Sequence, residues 1–440
     1  MKQEQRNRIL ISEYESEEHL READAFSLPS LNLFRKPHEA LMNGIDGLTI
    51  AMAEENDILV TRTPLPEAYQ RCWNENVCAI RYYGESAVSD SKKTIYELLQ
   101  LDHGAHDLLR SNRIVNYALI PETYDMYAAL VIPAEEPPLP LVQLMNRKSF
   151  SNDLKYRLDL PLKGVSVRSV EEYEREVPGM LKQYGTVLIK DSMGVSGKGI
   201  LPIESQAMAD RLAAHFRKQE GLGRTNFDFV LEPRVSRKTD FSCQFHIERS
   251  GTAVIDGYRK NEAKGYAYLG SGPLSEAETD LIQRSQYRDA ILRIADEMAA
   301  LGYFGYACAD SMITEDNEVI PLLEINPRMS MARFSLQLER KLDRNCRLSY
   351  TEGIRASGSS LSVILEELES KGILFTKARG SGVLPLAPGT FEAPYHAGEK
   401  VRIYFAVLYE TEEDYETILD TWIGYCAGRI CSGPVRKKTA

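Results

Sequence analysis

Residues 185–200 read Gly-Thr-Val-Leu-Ile-Lys-Asp-Ser-Met-Gly-Val-Ser-Gly-Lys-Gly-Ile, a β-type run that ends at Lys190 and breaks into a glycine-rich turn. Few arrangements accommodate it. A turn holding Gly194, Ser196, Gly197 and Gly199 offers little side chain to pack, and it presents backbone N–H groups to an anion beside the Lys190 cation. Taken alone, such a turn is equally an ordinary hairpin connection. Two common phosphate loops are excluded. A P-loop needs Ser or Thr after Gly-Lys, whereas Lys198 precedes Gly199, and Gly194, Gly197 and Gly199 reverse the Gly-x-Gly-x-x-Gly order of a dinucleotide fingerprint. What remains is a flexible phosphate cover between two strands.

Its partner is far downstream, in Glu324-Ile-Asn-Pro-Arg328. Strands are expected over 305–313 and 318–325, joined by a turn at 314–318. Asp310 and Glu324 can then face each other across antiparallel pairing, with Asn326 two residues on and so on the same face. Facing acids on a surface hairpin are often only a solvated face. Here both sit in apolar runs, Tyr306-Ala-Cys-Ala and Ile320-Pro-Leu-Leu, where unpaired carboxylates are costly and a bound cation would remove the conflict.

With 440 residues and 43% hydrophobic content, the chain can bury enough surface for two or three domains of an α/β (α+β) class. The expected division is 1–140, 141–345 and 346–440, the first boundary lying in the proline-rich stretch 133–140. Strands at 57–61, 77–82 and 128–133, with a helical pattern over 91–110, make an α/β start. A helix follows within 145–155, with Lys148 near its start, where a lysine is ordinarily a solvated residue. Then come Leu160-Pro-Leu, a strand and a helix over 169–182. After Lys190 the pattern is strand, loop, helix over 204–219, and an apolar strand over 227–235. That strand ends in Glu232-Pro-Arg-Val235, suited to reading a purine edge through main-chain groups and equally an ordinary edge strand. Segments 240–248 and 252–259 form a meander around Gly251, and an amphipathic helix spans 275–301. Beyond 346 a helix at 360–371, strands at 372–376 and 400–408 and a helix at 412–426 carry no evident chemistry.

The polar N-terminus and the short apolar run Ile9-Leu-Ile resemble neither a cleavable signal nor a membrane span, so the cytoplasm is the expected compartment. Seven cysteines without a CxxC pair imply reduced, packed thiols. His103 and His106 lie three apart without a second ligand pair, which favours a helix-surface or capping role over a metal. A net charge of −11 disfavours nucleic acid and anionic membranes as partners.

Lys148, the loop from Lys190 to Gly199, Glu232-Pro-Arg-Val235, Asp240, Asp310 and Glu324-Ile-Asn-Pro-Arg328 occur in the order of the ATP-grasp ligases, which the chain resembles over residues 145–335. The resemblance implies an ATP-grasp fold with an N-terminal α/β domain before it and a small C-terminal α/β appendage. It implies that Lys148 and Lys190 contact ATP phosphates while Ser192, Gly194, Ser196 and Gly197 close over them. The main chain from Glu232 through Arg234 to Val235 would hold adenine and Asp240 the ribose hydroxyls. Asp310, Glu324 and Asn326 would hold Mg²⁺ (or Mn²⁺). Arg328 would grip a carboxylate and its acyl phosphate, with Arg259 or Lys260 adding a cation near the γ-phosphate. Arg333 is either a further charge for an amino-acid substrate or a surface residue at a helix start.

Within the superfamily the flanking segments look most like ligases of peptide and aminoglycoside antibiotic pathways. Butirosin-type ligases load L-glutamate onto the phosphopantetheine thiol of an acyl carrier protein; pheganomycin-type peptide ligases use an amine acceptor. The implied function is activation of an amino-acid carboxylate as an acyl phosphate and its transfer to a carrier-protein thiol, with a carboxylate–amine ligase as the alternative. An acidic carrier would need a basic patch, for which 340–347 and Arg436-Lys-Lys438 are the candidates. A kinase would use the same ATP site and stop at phosphate transfer, while a mere nucleotide-binding regulator has no need of Arg328.

Overall fold

The computed structural model describes residues 7–14, 16–29, 44–84, 93–194, 199–264, 267–355, 360–387, 389 and 400–432. Its first part is a parallel sheet, ordered β3-β2-β1-β4, of β1 (Arg8–Ile11), β2 (Ile58–Thr61), β3 (Arg81–Gly84) and β4 (Arg113–Asn116). Around it lie α1 (Ser16–Leu20), a 3-10 helix (Asp46–Met52), α2 (Glu67–Asn76), α3 (Ile95–Leu101), α4 (His106–Ser111) and α5 (Pro121–Leu130). Both faces are covered, as parallel sheets require. Ile9, Ile11, Ile58 and Val60 pack against Ile95, Leu109 and Met126, while Leu10 and Leu59 pack with Leu48 and Trp73.

Two expectations fail in this part. Residues 128–133 form no strand: Pro121 at the first helical position pre-sets φ for α5, which runs to Leu130 and ends at Val131 in a left-handed conformation. The helical pattern over 91–110 is two short helices, α3 and α4, separated where Asp102 Oδ1 accepts the Gly104 N–H at 2.9 Å.

The middle of the chain holds α6 (Leu139–Met145), α7 (Lys148–Arg157), β5 (Val165–Val167), α8 (Val170–Tyr184), β6 (Val187–Asp191), β7 (Ile200–Ile203), α9 (Gln206–Gly221) and β8 (Phe229–Pro233). The strands form an antiparallel sheet, β5-β8-β6-β7, one face of which is closed by Tyr173 and Val177 of α8 and Leu212 and Phe216 of α9. Ser169 and Ser205 cap these helices, accepting from the backbone N–H groups of Glu172 and Met208. The N-terminal segment straps this lobe. Phe26 enters its core 5.0 Å from the Phe227 ring, and the Ser27 N–H donates to Gln219 Oε1 at 3.0 Å. Burying that phenyl ring contributes about 2 kcal/mol.

The rest comprises β9 (Arg237–Ile247), β10 (Ala253–Lys264), β11 (Ala267–Gly272), α10 (Glu276–Arg284), α11 (Tyr287–Ala300), β12 (Gly305–Thr314), β13 (Val319–Asn326), α12 (Met331–Leu342), β14 (Asn345–Arg355), α13 (Leu361–Ser370), β15 (Gly382–Pro385), β16 (Lys400–Tyr409), α14 (Glu412–Arg429) and β17 (Ile430–Ser432). Its strands build one sheet, β13-β12-β9-β10-β11-β14-β16-β15, with β17 beside β14. Phe241, Phe245, Ala307 and Ala309 bury one face against Ile291, Ile294 and Met298 of α11, which leaves Ser242, Cys308 and Asp310 on the other. The expected 275–301 helix is two, α10 stopping at Ser285. Residues 372–376 form no strand; Leu374 makes a single bridge to Val383. The C-terminal α/β segment continues the sheet, because β14 pairs with β11. Among the described residues no helix is long and apolar enough to cross a membrane.

Candidate active site

The hairpin of β12 and β13 places Asp310 directly opposite Glu324, with Cys308 opposite Asn326 in the next row. Asn326 Nδ2 donates to Asp310 Oδ2 at 3.0 Å, and Lys148 Nζ lies 3.0 Å from Glu324 Oε2. Burial and the neighbouring Glu324 charge push the Asp310 carboxyl up to about 7. Burial pushes Glu324 the same way, but the adjoining Lys148 ammonium outweighs it and holds that carboxylate below its usual range. Two carboxylates and an amide oxygen on one face form a hard-donor set, and the strain between the acids is of the kind a divalent cation relieves. The donor chemistry fits Mg²⁺. Among the described residues no group of three or more His, Cys, Asp or Glu side chains accompanies it.

The row continues from Asp310 to Ser242 on β9 and Arg259 on β10. Arg259 therefore shares the face but stands three strands from Glu324, about 14 Å at ordinary strand spacing. Its guanidinium lies 2.7 Å from Glu339 of α12. Lys260, next along β10, points through the opposite face, where its Nζ meets Glu278 Oε1 of α10 at 2.7 Å. Of the two cations expected near the γ-phosphate, Lys260 is therefore turned to the face opposite the metal donors, while Arg259 shares their face and is held by Glu339.

Helix α7 runs between the two antiparallel sheets, burying all but Asp153, Tyr156 and Arg157. Lys148 begins it. Seven residues on, on the same side, Lys155 places Nζ 2.6 Å from Glu232 Oε1, while Lys190 of β6 pairs with Oε2. Burial opposes the charge on Glu232, yet the two ammonium groups drive its carboxyl down to about 2. The Glu232 side chain thus ties α7 to β6 and is turned inward, while the stretch beyond it is partly open to solvent. There the Arg234 N–H donates to the Thr186 carbonyl at 3.1 Å, the Arg234 side chain is exposed near Glu204, and Val235 is half-buried. Asp240 lies half-buried on β9, 2.9 Å from Arg237.

The glycine-rich turn joins β6 to β7. The Asp191 N–H donates to the Gly199 carbonyl at 2.8 Å and the Gly194 N–H to the Asp191 carbonyl at 3.0 Å. The two limbs nearly touch: a Cβ on Gly194 would stand 2.6 Å from the Gly199 Cα. Only glycine fits both positions. Lys148 Nζ donates to the Gly194 carbonyl at 2.7 Å, fixing the base of the turn beside Glu324. Ser192 turns inward, its Oγ accepting the Ser149 N–H at 3.0 Å. Ser196 and Gly197 lie outside the described residues. From the N-terminal strap, Arg21 pairs with buried Asp191 and Glu22 with Arg147.

Arg328 sits just past β13, half-buried and facing Glu17 of α1. Arg333 is neither of the things expected of it. It is buried within α12, 2.8 Å from Asp256 and stacked over Tyr306. In the basic run 340–347, Arg340 pairs with Asp256, Arg344 with Glu410 and Arg347 with Glu412, while Arg436-Lys-Lys438 lies outside the described residues. His106 opens α4 with its ring nitrogen 3.0 Å from the Gln100 carbonyl. Sequence reasoning missed Lys155 and Glu17. The seven-residue spacing from Lys148 was a usable signal for the first; nothing local marks the second.

No family model matches the chain. A curated relative, the butirosin acyl-carrier protein L-glutamate ligase of Niallia circulans, is 25% identical over 158 residues, covering 35% of this chain and 36% of the relative's own length. Among solved structures, the biotin carboxylase domain of Hydrogenobacter thermophilus 2-oxoglutarate carboxylase, in complex with MgADP, ADP and bicarbonate, superposes with a TM-score of 0.56 at 14% identity, covering 97% of this chain and 91% of that one. Biotin carboxylase from Campylobacter jejuni gives 0.54 at 13% identity, with 94% and 91% covered. The N5-carboxyaminoimidazole synthase of Aspergillus clavatus, in complex with ADP and its aminoimidazole ribonucleotide, gives 0.52 at 12% identity, with 85% and 99% covered.

Proposed function

Because the chain has the ATP-grasp fold, we propose that it is an ATP-dependent ligase that activates an amino-acid carboxylate as an acyl phosphate. The observation that carries this is the convergence, beneath the glycine turn, of Lys148 and Lys190 with the facing pair Asp310 and Glu324. Each ammonium has three donors. Lys148 commits two, to Glu324 and Gly194, so both lysines keep capacity for phosphate oxygens. The main chain at 232–235 would hold adenine, Asp240 the ribose, and Asp310, Glu324 and Asn326 a divalent cation. When bound, that cation would neutralise charge on the transferring phosphoryl group. A carboxylate is a poor acylating group. Its oxygen would attack the γ-phosphorus as ADP leaves, and a nucleophile would then attack the acyl carbon as phosphate leaves.

Hydroxylamine trapping tests the acyl phosphate. With ATP, Mg²⁺ and a panel of amino acids, at least one amino acid yields a hydroxamate together with ADP. ADP release without hydroxamate would instead indicate a kinase with a stable phosphorylated product. For the acceptor we infer a phosphopantetheine thiol and L-glutamate as donor, on the strength of the curated relative's activity. Incubation with a pantetheinylated carrier protein should add a glutamyl mass. An unchanged carrier alongside dipeptide formation would establish the amine alternative. The pinch between Gly194 and Gly199 yields a further prediction. Gly199→Ala, whose Cβ would meet the Gly194 Cα at 2.5 Å, forces the turn open and should weaken ATP binding about tenfold, near 1.4 kcal/mol, in titration calorimetry. Unaltered affinity would mean that the turn does not cover the nucleotide.

A further inference from the structure

The guanidinium of Arg328 has five N–H donors, and the protein itself uses them all. Nε and Nη2 donate to Glu17 Oε1 at 3.0 and 2.5 Å, Nη2 also to Asn326 Oδ1 at 3.2 Å, and Nη1 to the Tyr117 hydroxyl at 3.4 Å and the Met329 carbonyl at 3.1 Å. A substrate carboxylate that takes the Nε–Nη2 edge of Arg328 must therefore displace its one carboxylate partner among the described residues, Glu17. That residue is 5% exposed, and its second oxygen accepts the Ser16 hydroxyl at 3.2 Å. Displacement by a simple carboxylic acid would strand a buried anion, the situation that makes breaking one half of a buried pair so costly. An α-amino acid brings both charges. Its carboxylate can take over Arg328 while its ammonium takes over Glu17, so that one internal ion pair is exchanged for two external ones.

Topology independently puts this pair where a ligand belongs. In the order β3-β2-β1-β4 the chain grows outward from β1 through β2 to β3 and then returns to the other side of β1. The crevice beyond the carboxyl ends of β1 and β4 is thus a topological switch point, the place open parallel sheets use for ligands. Tyr14 follows β1 and Tyr117 follows β4, their rings 4.4 Å apart, and Glu17 and Arg328 meet beside them.

We propose that the pair of buried Glu17 and half-buried Arg328 is a selectivity element that admits α-amino acids and rejects carboxylic acids lacking an ammonium, Glu17 being the residue that receives the ammonium. This rests on the ligase reading above. The test measures hydroxamate formation by the full chain with an amino acid and its des-amino counterpart, such as L-glutamate and glutarate, and with N-acetylated amino acids. The protein should favour the amino acid in kcat/KM by about 10²-fold or more, as sites that pair a buried polar group do. Glu17→Gln should bring the ratio within about tenfold, raising KM for the amino acid and admitting the des-amino acid, while Glu17→Asp retains the preference. ATP affinity should match the parent in both variants. An unchanged ratio in Glu17→Gln, or a proportional loss with every acid, would overturn the proposal and leave Glu17 as a support for Arg328. Should the variant not fold, the parent decides alone, because equal use of N-acetylated and free amino acids also overturns it. Absence of hydroxamate from every acid would instead overturn the ligase reading on which it stands.

Discussion

Glu324→Gln is expected to lower ATP-dependent turnover by about 10²–10³-fold while leaving the fold intact, the loss typical of removing one group that stabilises developing charge. The change is nearly isosteric and retains an oxygen that can accept from Lys148, 3.0 Å away in the parent. What disappears is the charge facing Asp310 across the β12–β13 pair. Without it the Asp310 carboxyl, now pushed up to about 7, falls back toward its ordinary range, because the neighbouring acid is one of the two causes raising it. The donor set would then be one carboxylate and two neutral oxygens, weaker for a hard cation. ADP release at saturating ATP and amino acid, with melting curves alongside, gives the measurement. Parental turnover would remove Glu324 from the metal set.

The legible and illegible parts of this site differ in the range of the interactions that make them. That Asp310 and Glu324 share a face was legible because strand alternation fixes it, but their direct opposition was not: the register set at the turn would bring Leu322 opposite Asp310, and a shift between Asp310 and Met312 brings Glu324 there instead. The same alternation, carried to β10, already separates Arg259 from Lys260; it needed only to be counted from Asp240 and Ser242. The glycine turn was legible in composition, but its reason is a backbone approach, Gly194 on Gly199, visible only once β6 and β7 are paired. Strand β11 escaped because its pairing depends on glycine: a Cβ on Gly270 would lie 2.4 Å from the Leu348 carbonyl, so Ala267–Gly272 carries none of the β-branched signal that marks a strand. Residues 128–133 misled in the opposite sense, since Ala-Ala-Leu-Val-Ile is as apolar as a strand while the helix start at Pro121 lies outside that window. The pairing of Glu17 with Arg328 spans 311 residues and has no local trace. The strap that carries Glu17, Arg21 and Phe26 shows why. It is held by three different elements, none adjacent to it in sequence.

Glu232→Gln should be the most destabilising single change at the site, costing about 3–5 kcal/mol, because it leaves two ammonium groups facing a neutral amide where Lys155 is fully buried. The effect should depend on pH. In the folded protein the Glu232 carboxyl titrates at about 2 against an ordinary 4.5. The folded state therefore binds fewer protons than the unfolded chain between those values, and the stabilisation from Glu232 is complete above pH 4.5 and drains away as pH falls toward 2. Melting temperatures of parent and variant should consequently lie furthest apart near pH 7 and converge below about pH 4. Adding Lys155→Met should restore part of the loss at neutral pH, since a buried pair replaced on both sides by uncharged groups is far less costly than one cut in half. Equal melting temperatures for parent and single variant at pH 7 would mean that Glu232 does not hold α7 to β6, and that the lysines find other partners when its charge is gone.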